Sequence, residues 1–326
     1  MEITEFCLKV KKELERTMGE EVTVTVKKIT KNNGVILNSI IIAEKEKNVS
    51  PNIYMEEMFA AYQDGETFET VIKNIMELYR ESKLKENIDM SFFMEYEKVK
   101  GRIAYKLINR DKNRELLRQV PYFPWLDLAI VFYCHIMETE LNSATVMIYK
   151  EHLELWGITK EVLLEDARRN TPVLFPERIL PIEEIMKEIF SRDLEKEFAL
   201  AETEDELMPD KEWFDSAADQ MLSSITESRE NLEMYVAGNR NKLFGASVIL
   251  YEGMLKKFAE ETGHDIFLLP SSIHEVILIP DDNSKEERKL WEMVCEINKT
   301  QVQPEDILSD SLYRYCLKTD KTEKIF

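Results

Sequence analysis

Apolar residues in the first 18 positions recur at helical spacing. Ile3, Phe6, Val10 and Leu14 fall on one side of a helix that should end near Gly19. The period then changes to two. Val22, Val24 and Val26 alternate with polar residues, Lys31-Asn32-Asn33-Gly34 interrupts them, and residues 35–42 resume the β-branched run. Such stretches on either side of Asn-Gly predict a β-hairpin, because Asn and Gly accept the positive φ angles of a tight turn.

Ser50-Pro51 precedes a segment that breaks at Asp64-Gly65, after which Thr67 stands where a helix cap is expected. Phe68, Val71, Ile72, Ile75, Leu78 and Tyr79 form the apolar stripe of that helix. The pattern predicts a helix over residues 88–99, a strand over 101–108, and a short charged helix over 111–118, closed by Pro121 and Pro124. Residues 125–137 are almost wholly apolar, and the run Leu-Ala-Ile-Val-Phe-Tyr-Cys at 128–134 favours a strand covered on both faces over a buried helix. Another strand is expected over 144–149, then helix through residue 169.

Residues 144–153 (Ala-Thr-Val-Met-Ile-Tyr-Lys-Glu-His-Leu) are echoed by 246–255 (Ala-Ser-Val-Ile-Leu-Tyr-Glu-Gly-Met-Leu). Each copy reads as a strand running into an amphipathic helix. They are either a duplicated unit or two stretches obeying one pattern. Strands are also expected at 265–269 and 274–280. Ser284 with Glu287 three residues on reads as a capping box for a helix striped by Leu290, Val294 and Ile297. Residues 311–317 would be a closing strand. The resulting fold class is mixed α/β (α+β). An N-terminal helix-plus-hairpin module occupies 1–120. A larger region, 121–326, holds two strand–helix units at about 125–170 and 232–280, separated by an acidic helical segment at 180–230.

Hydrophobic residues make up 44% and charged residues 33% of the 326, which excludes a generally disordered chain. The 63 acidic and 43 basic residues leave a net charge of −20, and such a field disfavours direct nucleic-acid binding, although a local basic patch could survive it. Twelve acids and four bases fall within 183–212, a solvated turn between helices or a linker. The apolar run at 128–134 is far shorter than the roughly 20 residues that cross a bilayer, and the N-terminus carries acids where a signal peptide carries bases. No membrane association is expected. Cys7, Cys134, Cys295 and Cys316 lie far apart and read as reduced thiols, which points to the cytoplasm.

Neither a Gly-x-Gly-x-x-Gly fingerprint nor a P-loop occurs, and no Cys-x-x-Cys pair offers zinc-site spacing, so no cofactor and no metal are expected. His274-Glu275 begins like a zinc-protease helix but continues Val276-Ile277-Leu278 without a second His. The most site-like group is Ser271, Ser272, His274 and Glu275, with two hydroxyls, an imidazole and a carboxylate at the mouth of a predicted strand. Ser272 and His274 would share a face if that strand begins early enough. Against this, no carboxylate is evidently placed to orient the imidazole, and turn serines are common before strands. A second candidate is the loop Asn239, Arg240, Asn241, Lys242, able to meet an anionic partner or ligand or to serve only as an exposed turn. His135 beside Cys134 would diverge from it on a strand. Arg110, Lys112, Arg114 and Arg118, interrupted by Asp111 and Glu115, read as an ion-paired helix face.

Several segments carry a resemblance. These are Asn48-Val-Ser-Pro-Asn-Ile-Tyr-Met-Glu-Glu leading into Tyr62-Gln-Asp-Gly, then His152-Leu-Glu-Leu-Trp-Gly-Ile-Thr, Leu269-Pro-Ser-Ser-Ile-His-Glu-Val-Ile-Leu-Ile-Pro, and Gln301-Val-Gln-Pro-Glu-Asp-Ile-Leu-Ser-Asp. Together they resemble an uncharacterised bacterial family of anaerobic gut bacteria, the domain-of-unknown-function family number 5688. The Leu-x-x-Trp-Gly-Ile-Thr segment is also similar to another uncharacterised bacterial family. The resemblance brings no catalytic residues with it. What remains is a non-enzymatic binding or regulatory protein acting through contacts with a protein partner. The alternatives are a hydrolase using the Ser271–Glu275 region, an acidic nucleic-acid mimic and a small-molecule sensor.

Overall fold

The computed structural model describes residues 1–83, 87, 89, 91–138, 143–200, 213, 233–284 and 286–326. They form two units, one of Met1–Ala104, Arg110–Phe123 and Val131–Asn170, the other of Tyr105–Asn109, Pro124–Ile130 and Thr171–Phe326.

In the first unit, α1 (Ile3–Met18) buries the predicted stripe of Phe6, Val10 and Leu14 together with Cys7. Strands β1 (Val22–Thr30) and β2 (Ile36–Glu44) form the expected hairpin, with Val22 opposite Glu44 and Val26 opposite Ile40. Its turn places Asn33 and Gly34 at φ 59° and 71°, the left-handed region that favours this residue pair. Strand β3 (Asn52–Tyr54) extends the sheet beside β2. Helices α2 (Glu56–Gln63) and α3 (Phe68–Ser82) follow, and the Thr67 hydroxyl caps α3 by accepting the Thr70 N–H at 3.1 Å. One core unites Phe6, Val10, Leu14, Val24, Ile40, Ile42, Val71 and Ile75.

The helix expected over 88–99 is shorter. It reduces to a 3-10 turn at Ser91–Met94 and one turn of α4 (Tyr96–Val99), while residues 88 and 90 lie outside the described residues. Next come β4 (Ile103–Asn109), α5 (Arg114–Leu117), β5 (Tyr122–Trp125) and β6 (Leu128–Glu138). Leu128 through Cys134 are all buried, as a strand covered on both faces requires. Strand β7 (Ser143–Met147) pairs antiparallel with β6, Tyr133 lying opposite Met147. Helices α6 (Lys150–Trp156) and α7 (Lys160–Leu174) follow, and α7 outruns its expected end by absorbing Pro172 two residues before its last residue.

The second unit is built on β8 (Glu177–Pro181), α8 (Ile182–Leu200), β9 (Tyr235–Asn239), α9 (Met254–Thr262), β10 (Asp265–Leu269), β11 (Val276–Asp281), α10 (Glu287–Thr300), β12 (Tyr313–Cys316) and β13 (Lys321–Lys324). Its six-stranded sheet runs β13-β12-β10-β11-β9-β8, with every neighbouring pair antiparallel. Phe267, Leu269 and Ile279 on the sheet pack with Leu290 and Val294 of α10. Of the acidic segment expected at 180–230, α8 carries the part up to residue 200, and 201–212 and 214–232 lie outside the described residues.

Two local expectations are corrected. Residues Gly245–Leu250 form a 3-10 helix where a strand was expected, so the two echoing stretches differ in backbone. The cause is local: the Phe244 carbonyl accepts both the N–H and the hydroxyl of Ser247, and this tight turn draws the chain out of an extended path. The Ser284 capping box does not form either. Helix α10 starts at Glu287 after Glu286, and the Ser284 hydroxyl instead donates to Asp282 Oδ1 at 2.6 Å.

A half-buried carboxylate ties early chain to late chain in this unit. Asp127 accepts the hydroxyls of Ser309 and Ser311 at 2.8 Å each and of Tyr313 at 2.5 Å, with Lys324 Nζ 3.7 Å away. Burial pushes the Asp127 carboxyl up, but these three hydroxyls and the Lys324 charge together outweigh burial and hold it below the ordinary value. Among the described residues no helix is long and apolar enough to cross a membrane.

Candidate functional site

Three segments of the second unit converge. The turn after β9 is shaped by Asn239, which is buried and whose side chain spans it, donating to the Leu243 carbonyl at 2.7 Å and accepting the Leu243 N–H at 3.1 Å. Lys242 and Phe244 adopt positive φ angles within this turn. Gly245 then approaches the segment before β11 so closely that a Cβ there would stand 2.4 Å from the His274 carbonyl oxygen. The third segment runs beside Ser271–Ile273, where the N–H of Ile273 donates to the Asp306 carbonyl and the N–H of Leu308 to that of Ser271.

This scaffold fixes His274. Its Nδ1 accepts the Phe244 N–H at 3.4 Å, and its Nε2 lies 3.6 Å from Asp306 Oδ1, so both nitrogens have partners. The imidazole stacks on the Phe244 ring at 5.9 Å and 16°, and Lys106 Nζ sits 3.7 Å from the centre of that ring. The Ser272 hydroxyl accepts the backbone N–H of His274 at 3.0 Å. Ser271 is buried. Among the described residues neither serine hydroxyl is hydrogen-bonded to the imidazole, so no nucleophile–base pair is assembled here.

What the two predicted groups do share is a cleft of about 360 Å³. Gly238, Asn239, Lys242, His274 and Glu275 contribute to its lining, together with Val236. Helix α8 supplies Ile185, Glu188, Ile189 and Arg192, and β8 supplies Arg178, which is ion-paired with Glu188. Three cations, two carboxylates and three aliphatic side chains therefore surround one space. Such a lining suits an anionic group joined to an apolar one. Arg240 is exposed and turns to a neighbouring groove, and Asn241 is half-buried.

Sequence reasoning missed Asp306, the carboxylate beside the imidazole. It stands 32 positions along the chain from His274 without any spacing signal, although it belongs to the Gln-Pro-Glu-Asp stretch that carries the resemblance. It also missed the α8 contribution, since Ile185 and Ile189 read equally well as ordinary core positions. Among the described residues no group of three or more His, Cys, Asp or Glu side chains is arranged to hold a metal ion.

No curated protein and no solved structure matches the chain. The model of the family of unknown function DUF5688 spans residues 3–316, so the chain is a member of that family.

Proposed function

We propose that this chain is a non-enzymatic binding protein that holds an acidic segment of a protein partner at the α8–β9 cleft. The observation that carries this reading is the mixed lining of that cleft: Arg178, Arg192 and Lys242 beside Ile185, Ile189 and Val236. Cationic and aliphatic side chains lining one cleft are what recognition of an acidic, partly apolar segment requires. The unpaired thiols of the four cysteines, two of them buried, fit a reducing cytoplasmic setting.

Panning a displayed peptide library on the folded chain tests the reading. Selected peptides should be rich in Asp or Glu, and Arg192→Glu combined with Lys242→Glu should raise their Kd about tenfold or more without changing the melting temperature. Peptides with no acidic bias, or unaltered by the charge reversal, would overturn it.

The hydrolase reading retains one favouring observation, the Asp306 carboxylate beside the His274 ring. It requires the imidazole to give up the Phe244 N–H and turn toward a serine hydroxyl. Hydrolysis of p-nitrophenyl acetate that disappears in both Ser272→Ala and His274→Gln would establish it in place of the binding reading.

A further inference from the structure

Strand β8 ends the six-stranded sheet, and among the described residues it is paired with β9 alone. The flanking backbone bonds fix which of its groups face outward. Arg240 N–H donates to the Pro176 carbonyl and Ile182 N–H to the Met234 carbonyl, so the even-numbered positions between them turn toward β9. An antiparallel ladder alternates, so the N–H and C=O of Glu177 and Ile179 point away from the sheet. Pro181 is also outward-turned and has no N–H to leave unmet, the position in which a sheet edge tolerates proline.

This edge opens on a groove of about 510 Å³ lined by Glu177, Arg178, Ile179 and Arg240. Arg178 lines the groove and the α8–β9 cleft alike. In a chain with twenty more acids than bases, the two openings together present Arg178, Arg192, Arg240 and Lys242 against Glu177, Glu188 and Glu275. The sign of the edge is therefore opposite to that of the protein.

We propose that β8 receives an extended acidic peptide by strand addition, its backbone pairing with Glu177 and Ile179 and its carboxylates meeting Arg178 and Arg240. This rests on the binding reading above and states its mode. Main-chain hydrogen bonds supply affinity that is indifferent to sequence, and the cations select for acidic side chains. The proline limits pairing to the first three residues of the strand, so the added strand is short.

The probe is a fluorescein-labelled Val-Glu-Val-Glu-Val-Glu-Val peptide, titrated against the full chain by fluorescence anisotropy. Its lysine counterpart and a version N-methylated at the three central amides serve as controls. The glutamate peptide should bind, the lysine peptide should not, and N-methylation should weaken binding about tenfold or more, because it removes the donors that pair with the edge. Ile179→Pro should act likewise from the protein side, with a melting curve confirming that it folds. Equal binding of the methylated peptide would overturn strand addition while leaving the cleft reading standing. Absence of binding by the glutamate peptide would overturn strand addition directly. Indifference to both N-methylation and the Arg192→Glu/Lys242→Glu reversal would remove both readings together.

Discussion

The carbonyl oxygen of His274 lies where the side chain of residue 245 would begin, so Gly245 and His274 can adjoin only because one of them has no Cβ. The same Cβ would stand 2.8 Å from the Asn239 backbone nitrogen. Both obstacles are backbone, which cannot rotate aside as a side-chain tip can. Gly245→Ala should therefore destabilise the second unit by about 2 kcal/mol or more, as overpacking does. Gly101→Ala, with no atom within 4 Å of the added Cβ and no positive φ, should stay within about 0.5 kcal/mol of the parent. Thermal unfolding of the two variants side by side measures the difference.

Asn239 closes its turn from both ends of one amide. Asn239→Ala leaves the Leu243 N–H and carbonyl without these partners, and a loss of about 2 kcal/mol is expected. Amide exchange should quicken across residues 240–244 before it quickens in β10. Exchange rising equally in both would show that the side chain does not hold the turn in particular.

Asp127 predicts a pH dependence. Its folded carboxyl titrates below the ordinary value, so the unfolded chain binds the proton more readily. The stabilisation is therefore complete above the ordinary carboxylate range and is lost as pH falls through the lower, folded value. Asp127→Asn should cost about 2 kcal/mol at neutral pH and less in acid, once the pH has fallen through the lowered value of the folded carboxyl. Urea unfolding at the two pH values measures this. A cost independent of pH would show that shape, not charge, is what Asp127 contributes.

Tyr313 should show the same effect from the donor side. Burial, with the Asp127 charge and hydrogen bond next, pushes its phenol far above the ordinary range, so it remains a donor throughout. In Tyr313→Phe the Asp127 carboxyl loses one of three hydroxyl donors and its pKa should rise, moving the acid unfolding midpoint to higher pH.

In the first unit, the Thr67 hydroxyl satisfies a backbone N–H at the start of α3 that has no partner within the helix. Thr67→Ala should cost about 1 kcal/mol, and Thr67→Ser should restore most of it. Melting temperatures of the pair decide the point.

The first unit was largely legible because its signals are local. Alternating valines around an Asn-Gly turn and a threonine before a striped helix each specify structure within a few positions of themselves, as does the seven-residue apolar run of β6, which belongs partly to each unit. The 3-10 turn at Gly245–Leu250 was not legible, since it follows from a carbonyl capturing Ser247 where the β-branched pattern favours a strand. Ser284 illustrates the reverse case: the capping spacing is present, but Asp282 lies nearer and takes the hydroxyl. The site divides likewise. Turn residues marked Asn239–Lys242 and Ser271–Glu275 separately, but that they line one cleft depends on β9 lying beside β11, which no short window of sequence contains.

The four groups that hold Asp127 come from residues 309–324, more than 180 positions further along the chain. During synthesis this aspartate emerges long before any of its donors. The second unit cannot close while the ribosome is still making β10, and its early segments, including Pro124–Ile130 with its buried Leu128, Ala129 and Ile130, must wait with their apolar surface uncovered. A ribosome stalled between β10 and β12 should therefore display a chain that chaperones bind and proteases cut, with the hairpin module ahead of it already folded.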